Sequence, residues 1–398
     1  MTPPASASDT TSARASLLVL GTAAFLVQAD SRVMDPLLKL IAGDFHTTKE
    51  GATIALTLYA FAYGLFQLFY GPLGDRVGKL KVMAGALALF SLGEALGTLM
   101  PNLPLFTTLR FLTGMAAAAV IPLSLGYIGD KFPYQERQVT LGRFMSALML
   151  GQILGSSLGG IFGEYLSWQV IYRLFACASL VMAVMLWRES KRVPEEPRPD
   201  RKFSFAPYLT LWAMPQARIV LGTAFVEGFF IFGGLPFLGA SLKERFGLSY
   251  LTIGLLLACF GIGGLIYSAS VKKLVPKIGE MGTLLLGGSL LLAGYSLIGW
   301  LPVWWLFIPA IVIFGMGYYT MHGPLQTRAT ELSPTMRGTA VSLFAFAFFL
   351  GQAAGPPVMG QVLKNGGYGV GFPLAGAGLF VLALVARKLF QAQSLPRL

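Results

Sequence analysis

Charge is scarce in this chain. Only 12% of its 398 residues are Asp, Glu, Lys or Arg, about half the share found in soluble domains. Too few polar groups remain to cover a globule, so composition excludes a soluble cytosolic enzyme. Acid is scarcer than base: eighteen Asp and Glu stand against thirty Lys and Arg, a formal charge of +12. Cysteine occurs twice. Cys177 and Cys259 sit in apolar runs with no His or Cys at ligand spacing, so no disulfide framework or metal site is expected. Both read as small buried hydrophobes. H-E-x-x-H, the nucleophile elbow and the P-loop are missing too, and no cofactor is expected. No signal peptide is read either. Met1 to Ser16 is small and polar with Arg14 alone, and reads as a cytoplasmic tail.

Apolar residues are abundant: 55% of the chain, with 48 Gly and 30 Phe, as expected where helices pack closely in lipid. Apolar runs of spanning length predict helices over 16–41, 51–71, 80–100, 103–128, 139–163 and 167–188. A second set is predicted over 216–241, 250–271, 281–301, 303–327, 338–361 and 370–390. Between them, 189–215 is rich in charge and proline and reads as a cytoplasmic linker. The expected fold class is an all-α membrane protein of twelve transmembrane helices. They form two six-helix pseudo-symmetric halves, 1–188 and 216–398.

Loop charge orients the chain. With the N-terminus inside, 22 basic residues fall on the cytoplasmic side and five outside (Lys39, Lys49, Lys243, Arg245 and Lys364). Both termini are therefore expected in the cytoplasm, and the +12 is topology rather than a nucleic-acid surface. The halves also repeat. At an offset of 201, Leu105-Phe106 matches Leu306-Phe307, Gly114-Met115 matches Gly315-Met316, and Pro133 matches Pro334. Leu73, Arg76 and Gly78 match Leu274, Lys277 and Gly279 at the same offset, while Gly151-Gln152 and Gly155 match Gly351-Gln352 and Gly355 at 200. Two such halves suit a transporter that rocks about a central site.

The loop after the second span reads Gly71-Pro-Leu-Gly-Asp-Arg-Val-Gly-Lys-Leu-Lys81. It resembles the G-x-L-x-D-R-x-G-R/K-R/K signature of the major facilitator superfamily. The resemblance implies gating roles for Gly71, Asp75, Arg76, Gly78 and Lys79, with Asp75 contacting the start of span 11 and Arg76 joining a charge network. Arg110 and Gly114 in span 4 resemble the R-x-x-x-G element of the proton-coupled drug efflux branch. In span 5, Gly151-Gln-Ile-Leu-Gly-Ser-Ser-Leu-Gly-Gly160 is similar to the antiporter motif G-x-x-x-G-P-x-x-G-G, with Ser156 where the family has proline. The proline version stands in the second half as Gly351-Gln-Ala-Ala-Gly-Pro-Pro357.

Ionisable residues inside spans are few, and each costs several kcal/mol unless paired or hydrated, about 2.5–3.5 on insertion scales. Asp30 in span 1 and Arg110 in span 4 lie at about the same depth. In the resembled family both spans line the cavity, so a proton-sensitive Asp30–Arg110 pair is expected. Glu227 in span 7, flanked by glycine and aromatics, is the second candidate for proton or substrate work. Arg32 is a candidate for substrate binding or for pairing with Asp35, itself read as a solvated acid near the outer mouth. Glu94 in span 3 reads as a helix-packing group and His322 as a helix-end polar residue. Arg173 reads as snorkelling beside Glu164. Tyr59, Tyr63, Gln152, Phe229, Tyr318 and Gln352 are candidate cavity-lining residues.

The expected function is secondary active transport: proton-coupled export of small amphipathic molecules by alternating access. The rival is a carrier of small organic anions, supported by Arg32, Arg110 and Arg173; a non-transporting receptor is the reading from another class. Expected partners are a small-molecule substrate, protons and the lipid bilayer, with no nucleic acid. The protein is expected to act as a monomer in a bacterial inner membrane.

Overall fold

The computed structural model describes residues 7–132, 134–192, 204–333 and 336–394. Among them every regular element is helical, as a lipid-embedded backbone requires when it has no water to bond. The N-terminal half holds α1 (Ala7–Asp44), α2 (Lys49–Val77), α3 (Lys79–Gly97), α4 (Leu103–Ala117), α5 (Val120–Lys131), α6 (Tyr134–Tyr165) and α7 (Trp168–Arg192). A break at Ala118 and Ala119 separates α4 from α5, and the two run on as one apolar segment. The predicted linker is not wholly irregular, because α8 (Ala206–Ala213) forms inside it. The Tyr208 hydroxyl of α8 donates to the Leu68 carbonyl of α2 at 2.9 Å. Residues 193–203 of that linker lie outside the described residues, as do Pro133 and Pro334 of the repeat and Arg14's side chain in the predicted tail.

The C-terminal half holds α9 (Pro215–Gly234), α10 (Phe237–Phe246), α11 (Tyr250–Trp300), α12 (Phe307–Glu331), α13 (Arg337–Gly366) and α14 (Tyr368–Ser394). Pro236 lies at the joint between α9 and α10. Eleven segments among the described residues are long and apolar enough to cross a membrane. One of these, α11, is 51 residues long and is broken at Gly279 (φ 71°, ψ 171°) into arms 250–278 and 280–300. The two arms bring the total to the twelve spans read from the sequence.

The repeat is visible in backbone chemistry. Thr48 caps α2 by accepting from the Gly51 amide, and its equivalent Ser249 caps α11 by accepting from the Thr252 amide, at 3.0 and 3.1 Å. Gly78 (φ 107°) turns the chain between α2 and α3, as Gly279 does between the arms of α11. Only glycine adopts such φ readily. Gly155 of α6 presses on the Ala29 carbonyl of α1, and Gly355 of α13 presses on the Phe229 carbonyl of α9. In the same way Gly114 meets the Tyr59 carbonyl and Gly315 the Phe260 carbonyl. A side chain at any of these would push the two helices apart. Across the halves α2 lies on α13 and α6 on α11. The repeat exchanges these two contacts, so the halves meet about a pseudo-two-fold axis.

Candidate functional site

Three charged side chains meet inside the N-terminal half. Arg110 Nη1 lies 2.9 Å from Asp30 Oδ1, 3.1 Å from Asp30 Oδ2 and 2.9 Å from Glu94 Oε1. All three residues are at most 2% exposed. Helix packing puts them there. Gly93 lets α3 approach Thr113 of α4, which aims the neighbouring Glu94 at Arg110. The close approach of α1 to α6 at Gly155 fixes the height of Asp30. Tyr59 and Tyr172 place their rings 4.3 and 5.4 Å from the guanidinium, so cation–π contact supplements the ion pairs. One guanidinium serves two carboxylates, and Arg110 Nε and Nη2 and Glu94 Oε2 are buried without a hydrogen-bond partner.

Asp30 and Arg110 are therefore together as the sequence suggested, and Glu94, read as a helix-packing group, joins α3 to α4 through Arg110 itself. It is the third member of the cluster. Its depth, equal to that of Asp30, was the signal available in the sequence. Which face of α3 meets α4 was not.

The C-terminal half carries a buried acid of its own. Glu227 Oε2 lies 3.0 Å from His322 Nδ1, while Oε1 is buried without a partner. His322 thus faces inward to Glu227 instead of merely ending a helix. Around it stand Tyr318, stacked at 5.3 Å, with Phe348 at 4.9 Å and Phe344 at 5.6 Å. Phe229 is not brought into this group; it packs with Phe225 and Phe230 along α9.

Between the halves lies a small pocket lined by Ser31, Arg32, Asp35, Tyr59, Phe232 and Gln352, among others. Arg32 Nη1 is 3.8 Å from Asp35 Oδ2. Its guanidinium lies 4.6 Å from the Phe232 ring centre, on the opposite half. Asp35 is 4% exposed, so it is a buried acid and not a solvated one. Tyr63 leans on Phe349 at 4.6 Å, and the Tyr319 hydroxyl donates to Gln152 Oε1 at 3.2 Å; both contacts cross the interface.

The end of the molecule with the lysine-bearing turn holds the residues to which the resemblance assigns gating. Lys79 bridges Asp75 at 3.1 Å and Asp130 at 2.7 Å. Lys79 is the connecting cation here, while Arg76 is exposed. Residues 334–335, just before the start of α13 that the resemblance pairs with Asp75, lie outside the described residues. The far end is shut across the halves. Lys49 Nζ meets Glu244 Oε2 at 2.7 Å and the Tyr368 hydroxyl at 2.6 Å. Glu164 Oε2 accepts the Tyr250 amide at 2.7 Å. Glu164 is therefore engaged with α11 and not with Arg173, which donates to Thr98 Oγ1 at 3.2 Å. Cys177 is exposed rather than buried, and on a spanning helix that surface faces lipid. No cluster of three or more potential metal ligands occurs among the described residues.

Comparisons with known proteins agree with this architecture. The chain is 26% identical over 368 residues to the uncharacterized MFS-type transporter YceJ of Bacillus subtilis, covering 90% of this chain and 92% of that protein. It is 25% identical over 374 residues to the inner membrane transport protein YnfM of Escherichia coli, covering 92% and 86%. Over 311 residues it is 25% identical to a chloramphenicol resistance protein of Pseudomonas aeruginosa, covering 75% and 72%. In fold it is similar to a bacterial homologue of the human lysosomal transporter Spinster, solved inward-facing and unoccupied. That match has a TM-score of 0.76 at 16% identity and covers 97% of both chains. The family model described as Major Facilitator Superfamily matches residues 20–356: this chain belongs to that superfamily and is a multi-pass membrane transporter, not an enzyme.

Proposed function

We propose that the protein is a proton-coupled exporter of small amphipathic molecules, working as an antiporter by alternating access. The observation that carries this reading is the charge balance of the Asp30–Glu94–Arg110 cluster. Two carboxylates share one guanidinium where water is excluded, and a single proton neutralises the remainder. A proton bound there weakens the hold of one carboxylate on Arg110, and releasing it restores that hold. Because α1 carries Asp30 of the cluster together with the pocket residues Arg32 and Asp35, and the pocket's Tyr59 packs on the Arg110 guanidinium, protonation is linked to the shape of the pocket. Glu227 with His322 offers a second proton-binding couple on the C-terminal half. Export is supported by the resistance protein among the relatives and by the glycine motif of α6. The cytoplasmic face is then the Lys79 end, with both termini inside a bacterial inner membrane and the monomer as the working unit.

The test is proton flux in liposomes containing the purified protein and an internal pH dye. A transported solute is expected to evoke proton movement that Asp30→Asn abolishes. Full proton coupling in Asp30→Asn would overturn the reading. A carrier of small organic anions is the second reading, favoured by one observation: Arg32 Nε is buried without a partner beside the pocket.

A further inference from the structure

The pocket between the halves holds two opposite charges that form only a loose ion pair. Arg32 and Asp35 sit three residues apart on one face of α1. Arg32 is 8% and Asp35 4% exposed. Their closest approach, 3.8 Å, is well beyond the roughly 2.7–2.9 Å of a charge-assisted hydrogen bond. The guanidinium instead rests on Phe232, which leaves Nε–H unused. A purely structural pair one turn apart would close, because burial penalises charges that are left incompletely paired.

We infer that Arg32 and Asp35 form a clamp for the head group of a zwitterionic solute: a carboxylate and an ammonium on neighbouring atoms, with an apolar or aromatic tail, as in an α-amino acid. The inference rests on the transport reading above and names the substrate class of that same pocket. In such a head group the amine nitrogen and carboxyl carbon are about 2.5 Å apart, from standard bond lengths and angles. The head group therefore lies across the pair, with its carboxylate on the unused Arg32 Nε–H and its ammonium on Asp35. A simple anion would set its charge against Asp35, and a simple cation would set its charge against Arg32. Like charges in a buried site oppose binding, so the clamp rejects both. Phe232 and Gln352 come from the C-terminal half and Ser31 and Tyr59 from the N-terminal half. A bound tail therefore touches both halves, as a solute that moves with the rocking must.

The experiment is counterflow in liposomes: vesicles with the full-length protein are loaded with L-phenylalanine, and entry of labelled L-phenylalanine is followed. Phenethylamine lacks the carboxylate and 3-phenylpropionate lacks the ammonium. The expected result is exchange of phenylalanine, with each single-charge analogue competing at least ten-fold more weakly. Arg32→Gln and Asp35→Asn are each expected to lower exchange ten-fold or more. The analogue series uses the unaltered protein, so it decides the matter even where a variant misfolds. Equal competition by either analogue overturns the clamp, and so does absence of exchange for phenylalanine, leucine and methionine alike. Exchange that persists while no pH gradient drives accumulation overturns proton coupling and leaves the clamp standing. Proton-coupled flux evoked only by other solutes overturns the clamp alone.

Discussion

In the N-terminal half, Asp30, Glu94 and Arg110 meet as buried charges. The repeat carries these three positions to Phe230, Tyr295 and Ile311 in the C-terminal half. There the contact is made differently: the Tyr295 hydroxyl donates to the Ile231 carbonyl at 2.6 Å and reaches the Phe230 carbonyl at 3.2 Å. In the N-terminal half the first and third spans are joined through Arg110 of span 4, and in the C-terminal half they touch directly. In one half the link is made of ionisable side chains. In the other it is a phenol on a backbone carbonyl, far from titrating at physiological pH. The C-terminal acid–base couple, Glu227 and His322, maps back onto Val27 and Ile121. Helix packing is thus duplicated and ionisable chemistry is not, which allows the two halves to respond differently to one proton.

The comparison breaks most severely at Arg110. Arg110→Met leaves two carboxylates buried together, a loss of about 3–5 kcal/mol for an uncompensated partner. Thermal unfolding in detergent is expected to show a large drop, whereas Ile311→Met at the equivalent site changes stability by under about 1.5 kcal/mol. A small effect at Arg110 would mean that the cluster is loosely hydrated.

Next come the duplicated glycines. Gly155→Ala and Gly355→Ala each drive a methyl into a facing carbonyl, and overpacking of this kind costs about 1–3 kcal/mol. Similar losses in the two halves, read from the same unfolding curves, would sharpen the claim of equal scaffolds. A loss confined to one half would break it.

Tyr295→Phe removes one buried hydrogen bond, a loss of about 0.5–1.5 kcal/mol. It is expected to leave the pH dependence of transport unchanged, in contrast to Glu94→Gln, which shifts it; flux measured over a pH series separates the two. The smallest effect belongs to the far end, where Lys49 and Glu244 are partly exposed. Lys49→Met is expected to cost at most about 1 kcal/mol and to speed opening of that end, read as faster labelling of a cysteine placed at residue 360.

Much of this was legible in the sequence. Spanning length and loop charge marked the helices, and a constant offset marked the repeat. Equal depth brought Asp30 to Arg110. Glu94 and His322 were not legible, because the pairing of α3 with α4 and of α9 with α12 is set by which helix faces interlock. Glu227 and His322 are 95 positions apart, and nothing local links them. Asp35 was misjudged for a related reason: its place near a helix end suggests solvent, but α10 closes over it at Gly239. The break inside α11 follows from Gly279 once its equivalence to Gly78 is seen.

The central claim is that one proton works through Asp30 on one side of a duplicated scaffold. It is tested most directly by comparing Asp30→Asn with the unaltered protein in two assays on the same liposomes: solute counterflow without a pH gradient, and accumulation driven by one. The account predicts that Asp30→Asn retains counterflow and loses gradient-driven accumulation. Accumulation at the unaltered level in Asp30→Asn would contradict it.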